Sequence, residues 1–527
     1  MDRRRFLQTG TLAAGALALS ARSAWSAPAS PAARPPVPLI DFSTTDTGLL
    51  GTYQAALGCL RANLQMLPQF QSAVLGEGSV YHGVWLECAP QEGAVYSVIR
   101  PDIARNNHLA FFALQKEDGQ LPCNLKISEV GYGQIQMAVP IAATAWELAE
   151  RFGDNELLEK AYSACSRWDG WLRRYRDTLR TGLCEGFCTY DTGQDNSPRW
   201  GGIPNRCPDS DARNCPHLPG LPRLCPDLSA TVYGGRVALA QMALALGKHA
   251  EADHWTEYAE AIRVLIVKRL CDLDDAAFYD RDAEGNFVRI RGDVISRVLG
   301  ERVVDPPLFD TIWQRQIHAA KAFWSPYPLP SIALDDPTFV RPIPRNSWGG
   351  AAQALTALRA PRWMEHYGKS AELAWMMQRW VEAIRRRSEF RQQIDPRTGD
   401  FTRPDPGGYS PAALVFLDYL WRLSGPRQEG SRLEWNLRPP AGGKAVFRLT
   451  AFHTHAILTY NPAAAVLEIG GKTIATVSGT VRLVTNTRGG LEEAKGIASE
   501  TIQVSIVQPD RAERKFTIAP NQRVLFT

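Results

Sequence analysis

Tyr190-Asp191-Thr192-Gly193-Gln194-Asp195-Asn196-Ser197-Pro198-Arg199-Trp200 is the most informative stretch of this 527-residue chain. It sets two carboxylates four residues apart in a segment broken by Gly193 and Pro198, with Arg199 and Trp200 immediately after. Cleavage of a glycosidic bond needs a protonated carboxyl at the leaving oxygen, a second carboxylate and an aromatic platform for the sugar ring. A carboxyl packed beside Trp and away from water has its pKa raised, as a general acid requires. An Asx-turn, in which Asp or Asn caps a neighbouring backbone, accounts for the same residues without chemistry. Composition alone leaves both readings open.

Outward from this stretch, from about residue 43 to 424, apolar residues recur at three and four. Stretches 53–66, 101–114, 138–149, 157–176, 228–246, 250–270, 309–322, 351–358, 371–386 and 411–423 predict a set of ten to twelve helices. Gly153, Gly247 and Gly425 are natural stops. Pro140 fits only at or before a first turn. After Gly425 the texture becomes short, β-branched and alternating, with Asn461-Pro462, Gly470-Gly471, Gly489-Gly490 and Pro520-Asn521 as turns. Eight short strands there predict an antiparallel β-sandwich. The expected organisation is a signal peptide at 1–27, a Pro-rich linker at 28–42, a helical catalytic domain at 43–425 and a β-sandwich at 426–527.

Hydrophobic residues make up 45% and charged residues 22% of the chain, which excludes a wholly disordered or fibrous protein. The formal net charge is +4. Residues 1–27 hold four Arg against one Asp, so the remainder is near neutral and carries no global field that would draw nucleic acid or anionic lipid. No nucleic-acid partner is expected. Arg3-Arg4-Arg5-Phe6-Leu7, the apolar run 9–19 and the small residues 24–27 are the three parts of a secretory signal. The R-R-x-F-L pattern resembles a twin-arginine export address, associated with proteins that fold before crossing. The apolar run is too short to span a bilayer. A periplasmic or secreted bacterial protein without membrane attachment in its mature form is expected. Of ten cysteines, Cys184, Cys188, Cys207, Cys215 and Cys225 bracket a Pro-rich stretch. Their spacing is not that of paired C-x-x-C zinc sites, so buried or disulfide-stapled thiols are expected ahead of a metal, and no cofactor is implied.

The 190–200 stretch resembles the E-S-G-x-D-N-S-P-R-W signature of inverting glycosidases of the trehalase, processing α-glucosidase I and mannosylglycerate hydrolase group. That resemblance implies an (α/α)6 barrel, a carbohydrate substrate, and Asp195 as general acid, with Asp191 standing where the family has Glu. Further matches follow in chain order: Asp118-Gly119-Gln120-Leu121-Pro122, Gln134-Ile135-Gln136-Met137, Asp227-Leu228-Ser229-Ala230, Asn346-Ser347-Trp348-Gly349-Gly350 and Phe390-Arg391-Gln392-Gln393-Ile394-Asp395-Pro396. In the last, the family's general base is Glu and this chain has Gln392. An amide cannot deprotonate water.

Glu389, Glu87, Glu92, Asp395 and Asp405 are candidate replacements, and Gln392 is expected at most to orient the water. Trp85, Trp200, Trp348 and Tyr409 are candidate sugar platforms. Glu87, Gln136, Asp191 and Arg199 are candidate substrate contacts. The leading expectation is glycoside hydrolysis with inversion. The alternatives are a lyase or epimerase on the same barrel, or a sugar-binding protein without activity, the latter motivated by Gln392.

Overall fold

Helix entry in this chain is set by capping. Asp46, Asp154 and Asp305 each accept a hydrogen bond from the backbone N–H three residues on, at 2.9–3.0 Å. Pro140 sits in extended conformation just ahead of its helix, so its missing N–H costs nothing. The computed structural model describes residues 39–341, 348–402, 407–440, 444–509 and 511–526. The expected signal peptide, most of the linker, Asn346 and Ser347 of the 346–350 motif and Asp405 lie outside the described residues.

Twelve α-helices occur among the described residues: α1 Thr47–Ala62, α2 Ala89–Tyr96, α3 Pro101–Ala113, α4 Ile141–Phe152, α5 Asn155–Tyr175, α6 Pro226–Ala245, α7 His249–Leu270, α8 Val294–Gly300, α9 Pro306–Ile312, α10 Ala354–Met364, α11 Ser370–Arg385 and α12 Ser410–Ser424. The even-numbered helices touch in sequence, α2 to α4, α6, α8, α10 and α12, and α12 returns to α2. Odd-numbered helices pack behind them: α1 on α12, α3 on α2, α5 on α4 and α6, α7 on α6, and α11 on α12.

This alternation explains which helices the periodicity exposed. The odd helices present one apolar stripe to the even layer, whereas α12 buries Ser410–Leu417, Tyr419–Trp421 and Leu423–Ser424 and has no polar face. The short α2 and α8, absent from the predicted set, bury their polar side chains too, Gln91 and Glu92 in the first and Arg297 in the second. The 309–322 prediction is cut short: α9 ends at Ile312 and continues only as one π turn, Trp313–Ile317.

Beside several short sheets of two to four strands, the strands form two larger antiparallel sheets. The larger runs Ile40–Thr44, Ala445–Ala451, Thr454–Tyr460, Ala465–Ile469, Lys472–Ser478, Ile502–Val507, Arg514–Ile518. The smaller runs Pro426–Glu429, Arg432–Leu437, Val481–Thr485, Leu491–Lys495, Arg523–Leu525. Ile40–Thr44 corrects the expected organisation: it is no linker but an edge strand, pairing Ile40 with Leu449 and Phe42 with Phe447. Its alternating Ile40, Phe42 burial is the ordinary signal of a half-buried strand, hidden by the Pro-rich run before it.

Among the described residues, helices and sheets together form one compact unit. Glu365, just past α10, accepts from Arg422 of α12 at 3.0 Å and from Arg482 of the smaller sheet at 3.2 Å. Arg482 also donates to Asn436 Oδ1 at 2.6 Å and faces Glu434 at 3.7 Å. Tyr460 donates from its hydroxyl to the carbonyls of Ser424 and Asn436. No helix among the described residues is long and apolar enough to cross a membrane. Because Arg482 is 2% exposed, its removal strands two buried partners. Arg482→Ala is expected to lower stability by about 3–5 kcal/mol, read as a shifted denaturation midpoint; an unchanged midpoint would show that the junction does not depend on this arginine.

Candidate active site

The long connection between α5 and α6 contains the 190–200 stretch, and most of it is buried although it is irregular. Buried irregular backbone must find its hydrogen bonds somewhere, and two arginines supply them. Arg176, wholly buried, donates to Ala212 O, to Glu185 O, to both oxygens of Asp191 (2.5 and 3.1 Å), and toward Cys207 Sγ at 3.6 Å. Arg199 donates to both oxygens of Asp227 (2.7 and 2.8 Å), both of Asp280 (2.6 and 2.7 Å), and Gln194 Oε1 at 2.8 Å. All five N–H groups of each guanidinium are therefore occupied. Asp191 completes its set with the backbone N–H groups of Ile135, Phe187 and Cys188.

Three expected substrate contacts are corrected by this geometry. Asp191 and Arg199 have no free acceptor or donor to offer a sugar. Trp200 is 2% exposed, bonds Thr192 through its Nε1 at 2.9 Å and lies against the Arg199 and Arg223 guanidiniums, so it is a wedge and not a platform. What the frame leaves accessible is Asp195, half-buried, with Trp348 N donating to its carbonyl at 3.3 Å and Asn196 beyond it in left-handed conformation.

Glu87 lies against this loop. A Cβ placed on Gly193 would stand 1.1 Å from Glu87 Oε2, and Gly193 has φ +64°. Only glycine satisfies both demands. Glu87 is buried beside the Gln136 side chain, whose Oε1 accepts from Gln134 at 2.9 Å. Burial, reinforced by the nearby charge of Asp195, pushes the Glu87 carboxyl up to about 7, against the opposing pull of Arg359 and Arg297. Burial likewise lifts Glu92 to about 8. Glu77 is raised by burial and then by the charges of Glu92 and Glu87, while the Tyr409 hydroxyl donates to it at 2.6 Å. Among the described residues no hydrogen bond reaches Glu87 Oε2, either Glu92 oxygen, or Nη1 and Nη2 of buried Arg359.

Tyr81 links the remaining elements. Its hydroxyl donates to Gln392 Oε1 at 3.2 Å, and its ring stands edge-on to Trp85 (5.7 Å) and tilted against Tyr409 (6.1 Å). Trp85, half-buried, packs on Cys88, Trp348 and Leu355. Trp348 and Tyr409 are themselves buried, with Arg297 over the Trp348 ring, so neither serves as an open sugar platform; each holds the site together from behind. Glu389 is turned to another task, its Oε2 2.7 Å from Arg391 Nε on the partly exposed side. Asp395 receives the Arg397 N–H and faces Arg341.

The placement has one rule. Glu87 precedes α2, Gln136 precedes α4, Asp195 and Asp227 precede or open α6, Asp293 precedes α8, Trp348 precedes α10, and Gln392 and Tyr409 precede α12. The site gathers at the N-termini of the even helices, where backbone dipoles favour negative charge. Sequence reasoning missed Glu77, Tyr81, Arg297 and Arg359. The available signals were a lone carboxylate between Gly76 and Gly78 and single arginines in otherwise apolar helical segments.

Two trios of metal-type ligands occur among the described residues, Cys188/Asp191/Cys207 and Cys225/Asp227/Asp280, each within 4.8 Å. In both, the aspartates are already held by an arginine. The ten cysteines are unbonded thiols.

The contact between Gly193 and Glu87 makes a direct prediction. Gly193→Ala is expected to lose at least about 1–2 kcal/mol from the left-handed backbone alone and more from the displaced carboxyl. Gly58→Ala, in the interior of α1 where the new methyl meets nothing within 4 Å, serves as the control and is expected to gain about 0.5–1 kcal/mol. Melting of Gly193→Ala at the control's temperature would contradict this packing.

Residues 95–414 match the family model described as the mannosylglycerate hydrolase MGH1-like glycoside hydrolase domain. No curated protein matches the sequence. Among solved structures, the family GH63 mannosylglycerate hydrolase from Thermus thermophilus in complex with glucose superposes with a TM-score of 0.56 at 18% identity, over 70% of this chain and 99% of its own. The neutral trehalase of Saccharomyces cerevisiae superposes at 0.52 and 12% identity, over 70% and 80%. The α-L-rhamnosidase of Dictyoglumus thermophilum superposes at 0.53 and 11%, over 91% of this chain and 49% of its own. Residues 1–425 are under 91% of 527, so this last match extends into the sheets. At such identities the shared feature is the fold. The family model, however, spans more than half of the chain, and the chain is a glycoside hydrolase belonging to the mannosylglycerate hydrolase MGH1-like family.

Proposed function

We propose that the protein is an exported glycosidase that hydrolyses an oligosaccharide or glycoside with inversion, Asp195 protonating the leaving oxygen and Glu87 taking the proton of the attacking water. The observation that carries this reading is the Glu87 carboxyl seated on Gly193, two residues from Asp195, with one oxygen unbonded. Inversion needs two carboxyls with room for a water between them. The closed succession of even helices, with odd helices packed on α2, α4, α6, α10 and α12, supports an (α/α)6 barrel, and the paired antiparallel sheets support a β-sandwich. The arginine-rich leader supports twin-arginine export to the periplasm or beyond. Half-buried Trp85 and Tyr81 are the aromatic surfaces left for a sugar face.

In this mechanism Gln392 replaces the family's base only as an orienting amide, anchored by Tyr81. Glu87 serves as base because it is buried beside the catalytic loop and flanked by Arg297 and Arg359, which favour its ionised form. Relatives support a carbohydrate ligand: structures of the Thermus thermophilus enzyme are described as complexes with glucose and with Tris and D-glycerate.

A second reading follows from the raised Glu87 carboxyl, since a group that keeps its proton near neutrality is suited to donate it. The two are separated by sign. If Glu87 must be ionised, kcat/KM rises as pH climbs through about 7; if it must be protonated, kcat/KM falls over the same interval. Asp195→Asn is expected to cut turnover of an unactivated glycoside by about 10³-fold or more while sparing a dinitrophenyl glycoside, whose leaving group needs no acid. Glu87→Gln is expected to impair both substrates and remove the limb near pH 7. Anomer-resolved NMR of the first product tests inversion, and a retained configuration would exclude the mechanism.

A further inference from the structure

Cys188 Sγ and Cys207 Sγ are 3.7 Å apart in a buried cluster with Phe187, and half-buried Cys215 packs against it. These two thiols stand at the ends of the segment that displays Asp195. The chain between them is closed on itself just inside the pair: Thr189 N donates to Pro204 O at 3.0 Å and Tyr190 N to Asn205 O at 3.1 Å. Two backbone runs thus lie side by side immediately before the sulfurs meet. Cys207 is further anchored by its own N–H on Gly133 O.

A metal is the competing use of such a pair, and the surroundings oppose it. The third ligand within reach, Asp191, has both oxygens on Arg176, and the same guanidinium points an N–H at Cys207 Sγ from 3.6 Å. A cation entering there meets a buried arginine head-on.

We propose that Cys188 and Cys207 form a disulfide in the mature protein, a covalent clasp across the base of the Asp195 loop. A disulfide needs its sulfurs about 2.0 Å apart with Cβ atoms near 4 Å, so side-chain rotation and a small closure of already parallel backbone suffice. Cys207, toward whose Sγ Arg176 points an N–H, is the attacking sulfur. Cys207 attacks a donor disulfide, such as glutathione disulfide or the active-site disulfide of a thiol oxidoreductase, and one donor thiolate leaves. Cys188 then loses its proton to water and attacks the Cys207 sulfur, expelling the second donor thiolate. The two protons lost by the cysteines pass through water to the two departing donor thiolates, and two electrons pass to the donor, which ends as two thiols. The clasp removes freedom from the unfolded chain and holds the ends of the loop that must present one carboxyl. It does not depend on which carboxyl acts as acid.

The test uses the wild-type protein incubated with reduced or oxidised glutathione, alkylated, digested without reductant and mapped by mass spectrometry. A linked Cys188–Cys207 peptide pair in the oxidised sample, together with a melting temperature about 3–5 °C above the reduced sample, is the expected result. Cys188→Ala, in which the remaining cysteines are intact, should lose that difference. Linkage of Cys207 to Cys215, or full alkylation of both Cys188 and Cys207 after oxidation, would overturn the proposal.

Discussion

The structure depends on keeping an irregular, buried loop saturated with hydrogen bonds. Between α5 and α6 some fifty residues hold only two two-residue strands and three single 3-10 turns, yet much of that backbone is inaccessible to water. Each unpaired buried group would cost on the order of 1–3 kcal/mol. Arg176 and Arg199 solve this with five donors each, aimed at carboxylates that themselves gather backbone N–H groups. Arginine is suited where lysine is not, since a planar fork meets two carboxylates at once while an ammonium is a single point. The pairs are a means of fixing shape rather than a source of net stability: they define where Gly193 and Asp195 stand.

That fixed loop sets the electrostatics of the site. Glu87 is pressed onto Gly193, and its Oε2 has no hydrogen-bond partner among the described residues. The even helices point their N-termini toward the same region, contributing positive potential that tolerates several carboxyls together. Shape and charge therefore come from the same residues, and a change in the arginine frame is felt at the carboxyls without touching them.

The fold was legible where one face of an element meets water. The odd helices announced themselves by their stripes, and the strands after Gly425 by alternation. The even helices did so less well, and α2 and α8 not at all, because burial on every side removes the contrast on which periodicity depends. The site was legible as a neighbourhood: Asp195, Glu87, Gln136, Trp85, Trp348, Tyr409 and Gln392 do cluster. Their roles were less so. Asp191, Arg199, Trp200 and Tyr409 have the side chains of substrate contacts but spend them on Arg176, on Asp227 and Asp280, on Thr192 and on Glu77 respectively. A sequence displays which donors and acceptors exist; which of them are already satisfied is a property of the packed chain. The raised Glu87 carboxyl belongs to the same class, since it follows from burial and the closeness of Asp195, 108 positions away in the chain.

The amide at position 392 gains meaning from counting charge. Glu77, Glu87, Glu92 and Asp195 already share one region with Arg297 and Arg359, and the carboxyls of Glu77, Glu87 and Glu92 raise or are raised by their neighbours. Gln392 adjoins Tyr81, whose ring meets Tyr409, whose hydroxyl bonds Glu77. A glutamate there would add another like charge to a cluster that resists losing protons near neutrality, and every group in it would hold its proton to still higher pH. With an amide at 392, the Glu87 carboxyl stands at about 7. Under the proposed mechanism the substitution therefore moves the base across the site from α12 to α2, and the glycine that makes room for Glu87 is the residue that makes this exchange sterically feasible.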